Sequence, residues 1–357
     1  MPPQRILIIR LDRLGDVVLS TPVIQALRAK FPDAYLAMMV RPACREIIDG
    51  NPLLNEVIVY DKDVLHRSVK ATWRFARRLR AHHFDTAIVL HPTNRSHWIV
   101  RFAGIPMRVG YDRKWGRLLT HRVPHAKQEG EQHEARYTLQ LLEPLGIRDV
   151  EPHPSVPVNA EAAASAEALL TAAGIALGET IVAIHPSASC ISKRWMPQRF
   201  AEVADRLIRE HGARVCIVAA GPDGVESARQ TAAAMAQPVV NLAGRLTIAE
   251  LAAVLRRCRL LISNDSGPVH VAAALGDPVV DIFGRNQRGL SPRRWGPIGE
   301  GHAVLHKEVG CVTCLAHDCD IDFLCLTSIT AEEVFRAASE ILARPPRREL
   351  TFPQLPV

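Results

Sequence analysis

Residues 264–275 read Asn-Asp-Ser-Gly-Pro-Val-His-Val-Ala-Ala-Ala-Leu and lie between two short apolar runs, residues 260–263 and 279–284. The runs have the length and composition of buried strands, and the small residues between them favour a helix. A polar turn between a strand and a helix start is where an open α/β sheet binds its ligand and where backbone N–H groups bind anions. Ser266 can cap the helix, Gly267 permits close backbone approach, and Pro268 is tolerated in the first helical turn. The stretch therefore predicts a phosphate-binding turn in an α/β protein.

The alternation of apolar runs and helical patterns recurs along the chain in two blocks. Apolar runs that we interpret as parallel strands occupy residues 5–10, 35–40, 56–60, 86–90, 180–184, 213–219 and 238–241. A proline-rich segment, residues 151–158, separates the blocks and has the composition of a linker. We therefore expect two doubly wound α/β domains, residues 1–157 and 158–328, followed by a C-terminal helix within residues 329–345.

The composition indicates a folded protein with an anionic partner or substrate. Of the 357 residues 48% are hydrophobic, and the formal net charge is +7. Every apolar run is shorter than the roughly 20 residues that span a bilayer, and the first one is too short for a signal peptide. We therefore expect a cytoplasmic protein. The charge fits a phosphorylated substrate or an anionic membrane face, and we expect no nucleic acid because no binding signature accompanies it.

An acidic residue follows the first predicted strand. Gly15 allows a tight turn there, and Asp16 lies at or near the start of a helix predicted over residues 17–28. A carboxylate at this position is favoured by the free N–H groups and the helix dipole. The local sequence leaves two interpretations of Asp16 open, a helix cap and a catalytic group.

Two other basic segments stand out. A helix predicted over residues 64–81 has Arg67, Lys70, Arg74, Arg77, Arg78 and Arg80 along one side and Leu65, Val69, Trp73 and Leu79 along the other. Such a helix can lie on an anionic membrane surface, but a solvated basic face over a packed apolar one is the alternative. Residues 108–122 are predicted to form a basic and aromatic loop region. Its Arg113, Lys114 and Arg117 suit a phosphorylated sugar.

Three stretches, in order, resemble the heptosyltransferases of lipopolysaccharide core synthesis, glycosyltransferase family 9. They are Leu-Gly-Asp-Val-Val-Leu-Ser-Thr-Pro at 14–22, His-Pro-Ser-Ala-Ser at 185–189 with Lys-Arg-Trp at 193–195, and Asp-Ser-Gly-Pro-x-His-x-Ala-Ala at 265–273. The resemblance covers nearly the whole chain. It implies the GT-B architecture, in which two Rossmann-like domains face each other across a deep cleft and the C-terminal helix packs back on the first domain.

The resemblance also implies the reaction. It is an inverting transfer of heptose from ADP-L-glycero-D-manno-heptose to an inner-core sugar of lipopolysaccharide, with no required cofactor. Peripheral contact with the cytoplasmic face of the inner membrane would fit such an acceptor. Three alternatives stay open: another nucleotide-sugar donor, a sugar-nucleotide epimerase, and an inactive relative that only binds a nucleotide sugar.

The family pattern assigns roles to individual residues. Asp16 matches the general base, and Lys193 matches the lysine that reaches the phosphates. The ribose-binding acid falls at Asp223 or Glu226, and the adenine contact falls near Leu246. The remaining donor-site positions are Ser187, Ser189, Asp265, Ser266, Gly267 and His270. A structural cap is the alternative for Asp265, and a buried histidine of the core is the alternative for His270.

Four of the eight cysteines are closely spaced. They are Cys311, Cys314, Cys319 and Cys325. The spacing could hold a tetrahedral zinc ion or an iron–sulfur cluster, whereas ordinary thiols or an incidental disulfide are the alternatives. We expect no catalytic metal, and a structural metal at this cluster stays an open alternative.

Overall fold

The computed structural model describes residues 2–314 and 317–345. The chain divides into two compact units. The first consists of the described residues up to Gln128 together with Gln132–Pro157. The second consists of Glu129–Glu131 and the described residues from Val158 onward.

The first unit is built on a six-stranded sheet in the order β3-β2-β1-β4-β5-β6, in which all neighbouring strands are parallel. The strands are β1 Arg5–Ile9, β2 Tyr35–Val40, β3 Glu56–Val59, β4 Thr86–Val89, β5 Met107–Tyr111 and β6 His121–Val123. Its helices are α1 Leu14–Val18, α2 Thr21–Lys30, α3 Val69–Leu79, α4 Asn94–Phe102 and α5 Glu134–Gln140. Short 3-10 helices lie at Pro42–Cys44, Arg80–His82, Gly116–Leu118, Lys127–Glu129 and Glu143–Leu145.

The second unit repeats this topology, with six parallel strands in the order β12-β11-β10-β7-β8-β9. The strands are β7 Ile181–His185, β8 Arg214–Ile217, β9 Val240–Asn241, β10 Leu260–Asn264, β11 Val279–Phe283 and β12 Ala303–His306. The helices are α6 Ala160–Ala172, α7 Pro197–His211, α8 Gly221–Ala234, α9 Ile248–Arg257, α10 Gly267–Ala274, α11 Pro292–Trp295, α12 Leu324–Thr327 and α13 Ala331–Leu342. Short 3-10 helices lie at Ile191–Lys193 and Arg288–Leu290.

Both sheets have the strand order of the dinucleotide-binding fold, so each has a point where the order reverses. In the first unit this point lies between β1 and β4, and in the second between β7 and β10. Ligands of open parallel sheets bind outside the carboxyl ends of the strands at such points. The central strands are buried almost throughout, which explains their near-continuous apolar sequence.

The C-terminal helix, α13, contributes its apolar side to the core of the second unit. Its apolar stripe, Val334, Phe335, Ala338 and Ile341, is part of the core that α7 and the sheet of the second unit form. Thr330 caps this helix by accepting a hydrogen bond from the Glu333 N–H at 3.2 Å. The helix therefore buries its hydrophobic side within the second unit.

Differences from the predicted elements concern the edges of the sheets. The region predicted as a basic and aromatic loop, residues 108–122, contains most of β5 and the start of β6, and β12 was not predicted. These strands lie at or next to a sheet edge, and they contain polar or charged residues that interrupt the apolar pattern. The helix predicted over residues 64–81 is shorter, at Val69–Leu79. In the part of the chain that the structure describes, every helix is too short or too polar to cross a membrane.

Candidate active site

Asp16 lies beyond the carboxyl end of β1, at the point where the strand order of the first unit reverses. It is the third residue of α1, and its Oδ2 accepts a hydrogen bond from the Arg13 N–H at 3.3 Å. The other oxygen, Oδ1, accepts from Arg10 Nη2 at 2.5 Å. The carboxyl side chain is 17% exposed. Asp16 is thus a fixed carboxylate that keeps access to solvent.

Arg10 is the centre of the cluster around Asp16. The residue follows β1 directly and is buried. Its guanidinium also lies 3.0 Å from Asp12 Oδ2 and 3.1 Å from Glu134 Oε1. Burial alone lowers the pKa of Arg10, but the three carboxylates outweigh it and raise that pKa above its ordinary value. A buried charge of this kind is stable only because its partners are present.

Two further groups extend the cluster. Lys127 Nζ lies 2.6 Å from Glu134 Oε1, and His91 Nδ1 lies 2.9 Å from Asp12 Oδ2. Although burial opposes it, Arg10 and His91 lower the pKa of Asp12. Sequence reasoning did not assign this network. Its one visible signal was a charged residue directly after an otherwise apolar strand.

The predicted acceptor-binding cations lie on an exposed loop of the same unit. Arg113 and Lys114 follow β5, and Arg117 is in the next 3-10 helix with its guanidinium 4.8 Å from the ring centre of Trp115. The loop extends from the same edge of the sheet as Asp16, since all strands are parallel. Arg113, Lys114 and Arg117 therefore form a cationic and aromatic surface. They are not part of the cluster around Arg10.

In the second unit, Lys193 forms an ion pair with Asp265, with Nζ 2.5 Å from Oδ2. Asp265 directly follows β10, and Lys193 ends a 3-10 helix. The segment of Lys193 is anchored by the Trp195 N–H, which donates to Asn264 Oδ1 at 2.9 Å. A side chain at Gly284 would put its Cβ 2.6 Å from the Ser192 carbonyl oxygen, so only glycine permits this approach. Backbone packing thus brings the lysine to the carboxyl end of β10.

Ser266 occupies the N-cap position of α10, as predicted, but within the described chain its hydroxyl bonds elsewhere. Ser266 Oγ lies 3.1 Å from His185 Nδ1 and 3.0 Å from Ser263 Oγ. Burial lowers the pKa of His185 to about 4, so the imidazole is neutral at physiological pH. The hydroxyl is therefore held to the sheet, while Gly267 begins the helix and His270 is buried in its second turn. The N–H groups at the start of α10 point toward the position where an anion would bind.

An acidic residue that the sequence did not single out lies beneath this turn. Asp281 is in β11, in register with Ser263, and is completely buried. Burial and the Asp265 carboxylate raise the pKa of Asp281 well above its ordinary value, while Lys193 opposes the rise. Among the described residues neither of its carboxyl oxygens has a hydrogen-bond partner. The signal in the sequence was an acid within an apolar strand.

The remaining donor-site candidates differ in their burial and in their contacts. Ser187 is buried just after β7, whereas Ser189 is exposed. Asp223 pairs with Arg194 at 2.8 Å, and Arg194 also donates to the Ala188 carbonyl oxygen at 2.9 Å. Asp223 is therefore linked through Arg194 to the loop that contains Ser187 and Ser189.

Glu226 lies about one turn further along α8, where its carboxylate accepts hydrogen bonds from Arg229 and Gln230. Hydrogen bonds from Arg229 and Gln230 lower the pKa of Glu226 to about 2. Leu246 is half-buried and lies between β9 and α9. Of the two candidate acids, Asp223 is thus the one that is linked, through Arg194, to the loop that contains Ser187 and Ser189.

The four closely spaced cysteines are free thiols in the structure. All eight cysteines lie in the described ranges and are free thiols. Burial raises the pKa of Cys325, and the thiols of Cys311, Cys319 and Cys314 are close enough to add to the rise. Yet no three His, Cys, Asp or Glu side chains in residues 2–314 and 317–345 are arranged to hold a metal ion.

Two Rossmann-like units of identical strand order confirm the predicted α/β fold and match the GT-B class of glycosyltransferases. The family model of glycosyltransferase family 9 (heptosyltransferase) matches residues 72–324. The chain therefore belongs to glycosyltransferase family 9 and is a glycosyltransferase.

Known proteins similar to this chain agree with that assignment. Lipopolysaccharide heptosyltransferase 3 of Escherichia coli is 29% identical over 285 residues, which are 76% of this chain and 80% of the relative. The crystal structure of a family 9 glycosyl transferase from Veillonella parvula has a TM-score of 0.84 at 26% identity and covers 95% of this chain and 97% of its own. The E. coli heptosyltransferase WaaC with ADP-2-deoxy-2-fluoro heptose has a TM-score of 0.69 at 21% identity, with 94% and 99% coverage. The last likeness is one of fold.

Proposed function

We propose that this protein transfers heptose from ADP-L-glycero-D-manno-heptose to an inner-core sugar of lipopolysaccharide, with inversion at the anomeric carbon. Membership of family 9 supports a sugar transfer, and the names of the relatives, lipopolysaccharide heptosyltransferase 3 and a heptosyltransferase solved with an ADP-heptose analogue, support this donor and acceptor. The observation that carries the proposal is the Asp16 carboxylate, fixed by Arg10 at 2.5 Å and partly open to solvent.

In the proposed reaction Asp16 is the general base. Its carboxylate takes the proton of the acceptor hydroxyl while that oxygen attacks the anomeric carbon of the donor. The bond from this carbon to the β-phosphate oxygen breaks, and ADP leaves with the electron pair. A single displacement from the opposite face inverts the configuration and needs no covalent intermediate with the enzyme. One oxygen of Asp16 is bonded to Arg10 and the other to the Arg13 N–H, which supports a fixed direction of attack.

The donor side of the proposal rests on the Lys193–Asp265 pair and the start of α10. Departure of ADP builds negative charge on the β-phosphate, and a cation with aligned N–H groups stabilises that charge. Lys193 would supply the cation. The donor contacts that we propose besides it are Ser187, Ser189, Asp265, Ser266, Gly267 and His270 for the diphosphate and sugar, Asp223 for the ribose, and Leu246 for the adenine. Glu226 is the weaker candidate for the ribose because Arg229 and Gln230 already occupy its carboxylate.

The acceptor is proposed to be recognised by charge. Arg113, Lys114 and Arg117 are exposed and lie beside Trp115, a combination that suits a sugar bearing phosphate or carboxylate groups. Because an inner-core acceptor is anchored in lipid, we further propose that the enzyme works at the cytoplasmic face of the inner membrane, in peripheral contact with it.

A donor and acceptor panel tests the function. The purified protein is incubated with ADP-heptose and with ADP-, UDP-, GDP- and dTDP-hexoses, each with lipopolysaccharides truncated at successive core positions. We expect transfer from ADP-heptose to one truncated acceptor. NMR of the product should show an anomeric configuration opposite to that of the donor. Activity with a different nucleotide sugar only would replace the donor. Nucleotide-sugar binding without turnover on any acceptor would identify an inactive binding protein.

A further inference from the structure

The outward face of α3 and the turn before it expose apolar side chains to water. Val64, Leu65, Val69 and Trp73 are 75%, 71%, 67% and 43% exposed. Val69 and Trp73 are one helical turn apart and share a face. The side of α3 that packs on the first unit consists of different residues, Thr72, Ala76 and Leu79, with Phe75 against the core. Three of the four apolar residues expected on the packed side of this helix therefore face solvent.

Cations adjoin this apolar strip. Residues 64–84 contain six Lys or Arg and no Asp or Glu. By helical spacing, Arg77, Lys70 and Arg74 follow Val69 and Trp73 around the exposed face, and the Arg77 guanidinium lies 4.7 Å from the ring centre of Trp73. In the described chain, none of Arg67, Lys70, Arg74, Arg77 and Arg78 forms an ion pair. The two acids that flank this segment in sequence are engaged, since Asp63 pairs with Arg41 at 2.5 Å and Asp85 accepts the backbone N–H groups of Gln4 and Arg5.

We infer that this surface, made of Val64, Leu65, Val69, Trp73, Lys70, Arg74 and Arg77, docks on a lipid bilayer with anionic headgroups. Unpaired cations without a single acid match an anionic surface, and exposed Val, Leu and Trp side chains match the boundary between headgroups and acyl chains. Nucleic acid would satisfy the cations but leave the apolar strip in water. The proposed function leaves open which face of the protein binds the membrane and which lipid charge it prefers, and this inference names both. It rests on the proposed function only in explaining why the protein would bind a membrane.

Vesicle flotation tests it with no sugar substrate present, so its outcome is separate from that of the donor panel. The full-length protein is mixed with vesicles of phosphatidylethanolamine and phosphatidylglycerol, or of phosphatidylcholine alone. We expect binding to the anionic vesicles that weakens at high salt, and little binding to the neutral ones. The variant K70Q/R74Q/R77Q should lower the partition coefficient about 100-fold, since each cation near an anionic surface contributes about 1 kcal/mol and 1.4 kcal/mol is tenfold.

Two further variants make the test specific to this surface. V64S/L65S/V69S keeps the charge and should also lower partitioning, by at least tenfold. R148Q/R209Q/R336Q removes three exposed arginines elsewhere and should change it little. Thermal unfolding confirms that each variant is folded. The inference is overturned if the control triple weakens binding as much as the α3 triple, if the serine variant binds like wild type, or if wild type binds duplex DNA and no vesicles.

Discussion

Arg10 Nη2 donates a 2.5 Å hydrogen bond to Asp16 Oδ1 from a side chain that is only 1% exposed. The same guanidinium contacts Asp12 and Glu134, so three carboxylates converge on one buried cation. Of the three, Asp16 and Asp12 are partly exposed, while Glu134 is buried and bonded to Lys127. The arrangement fixes the direction of the Asp16 carboxylate through a group that cannot lose its proton at physiological pH.

Replacing Asp16 should therefore separate catalysis from binding. Asp16→Asn keeps the shape but cannot accept a proton, and loss of a general base costs about 10²- to 10⁴-fold in rate. We expect kcat to fall by that factor while the Kd for ADP changes less than threefold by calorimetry. Asp12→Asn is the matched control, because it removes another carboxylate from Arg10 and should lower kcat less than tenfold. Equal losses in the two variants would mean that Asp16 only neutralises Arg10.

Lys193 offers a second test, on the donor side. Lys193→Gln removes the cation that we propose for the departing β-phosphate. Its effect should be larger on kcat than on ADP affinity, because the charge on the leaving group is greatest in the transition state. We expect kcat to fall about 100-fold or more and the Kd for ADP to rise about tenfold. Lys307→Gln, which breaks the Lys307–Glu333 pair in the same unit, is the control and should leave both constants near wild type. A normal kcat in K193Q would remove Lys193 from the reaction.

Asp281 leads to a prediction about stability. Its pKa is raised in the folded protein, so the unfolded chain releases this proton at lower pH, and stability falls as pH rises above about 4. Asp281→Asn cannot ionise and should raise the Tm at pH 8 by at least about 2 °C, the shift that about 1 kcal/mol gives in a domain of this size. The gain should shrink toward pH 4. Scanning calorimetry across that range measures it.

The control for this variant is a carboxylate with partners. Asp205 is also buried but accepts backbone N–H bonds from Ala236 and Gln237 at 2.8 and 2.9 Å. Asp205→Asn should therefore lower the Tm, the opposite of the result expected for Asp281→Asn. If both variants lose stability at pH 8, the carboxyl group of Asp281 has hydrogen-bond partners in solution and the prediction is wrong.

The sequence predicted those parts of the molecule that depend on local pattern. The central strands could be found because buried parallel strands are continuously apolar. The helix start in residues 264–275 could be found because Ser, Gly and Pro in this order favour the beginning of a helix. The edge strand β12 was missed because it has only four residues and none of them is fully buried. The packing of α13 could not be predicted from the sequence either, since an apolar stripe on a helix does not specify which surface covers it.

The site was predicted in the same uneven way. Asp16, Lys193 and Asp265 could be proposed from a family pattern. Arg10, Glu134 and Lys127 could not, because 124 residues separate Arg10 from Glu134 and only the folded first unit brings them together. Asp281 and His185 belong to different strands, and their position on either side of Ser263 follows from the register of β7, β10 and β11. Long-range register is a property that no local pattern encodes.

His97 provides a test of pH-dependent stability in the first unit. The residue lies in α4 with a fully buried side chain, and neither ring nitrogen has a hydrogen-bond partner among the described residues. Burial lowers the pKa of His97 to about 4. The unfolded chain therefore takes up a proton near pH 6.5 that the folded unit refuses until about pH 4. Stability is lost as pH falls through this window, by about 1.4 kcal/mol per pH unit for one histidine.

His97→Leu should remove that loss. It should also remove the free-energy cost of burying two ring nitrogens without hydrogen-bond partners. His185 contributes a similar slope in the second unit, so the readout must be local to the first unit. Hydrogen exchange of the β1 and β4 amides, followed by mass spectrometry at pH 7.0 and pH 5.0 with correction for the intrinsic rate, provides it. In wild type, the free energy of opening should drop by about 2 kcal/mol between these pH values, and in His97→Leu by much less. Exposed His153→Leu is the control and should retain the wild-type drop. A drop that persists in His97→Leu would assign the acid sensitivity to other groups of the first unit, among which His66 and His125, whose pKa values burial also lowers, are the next to test.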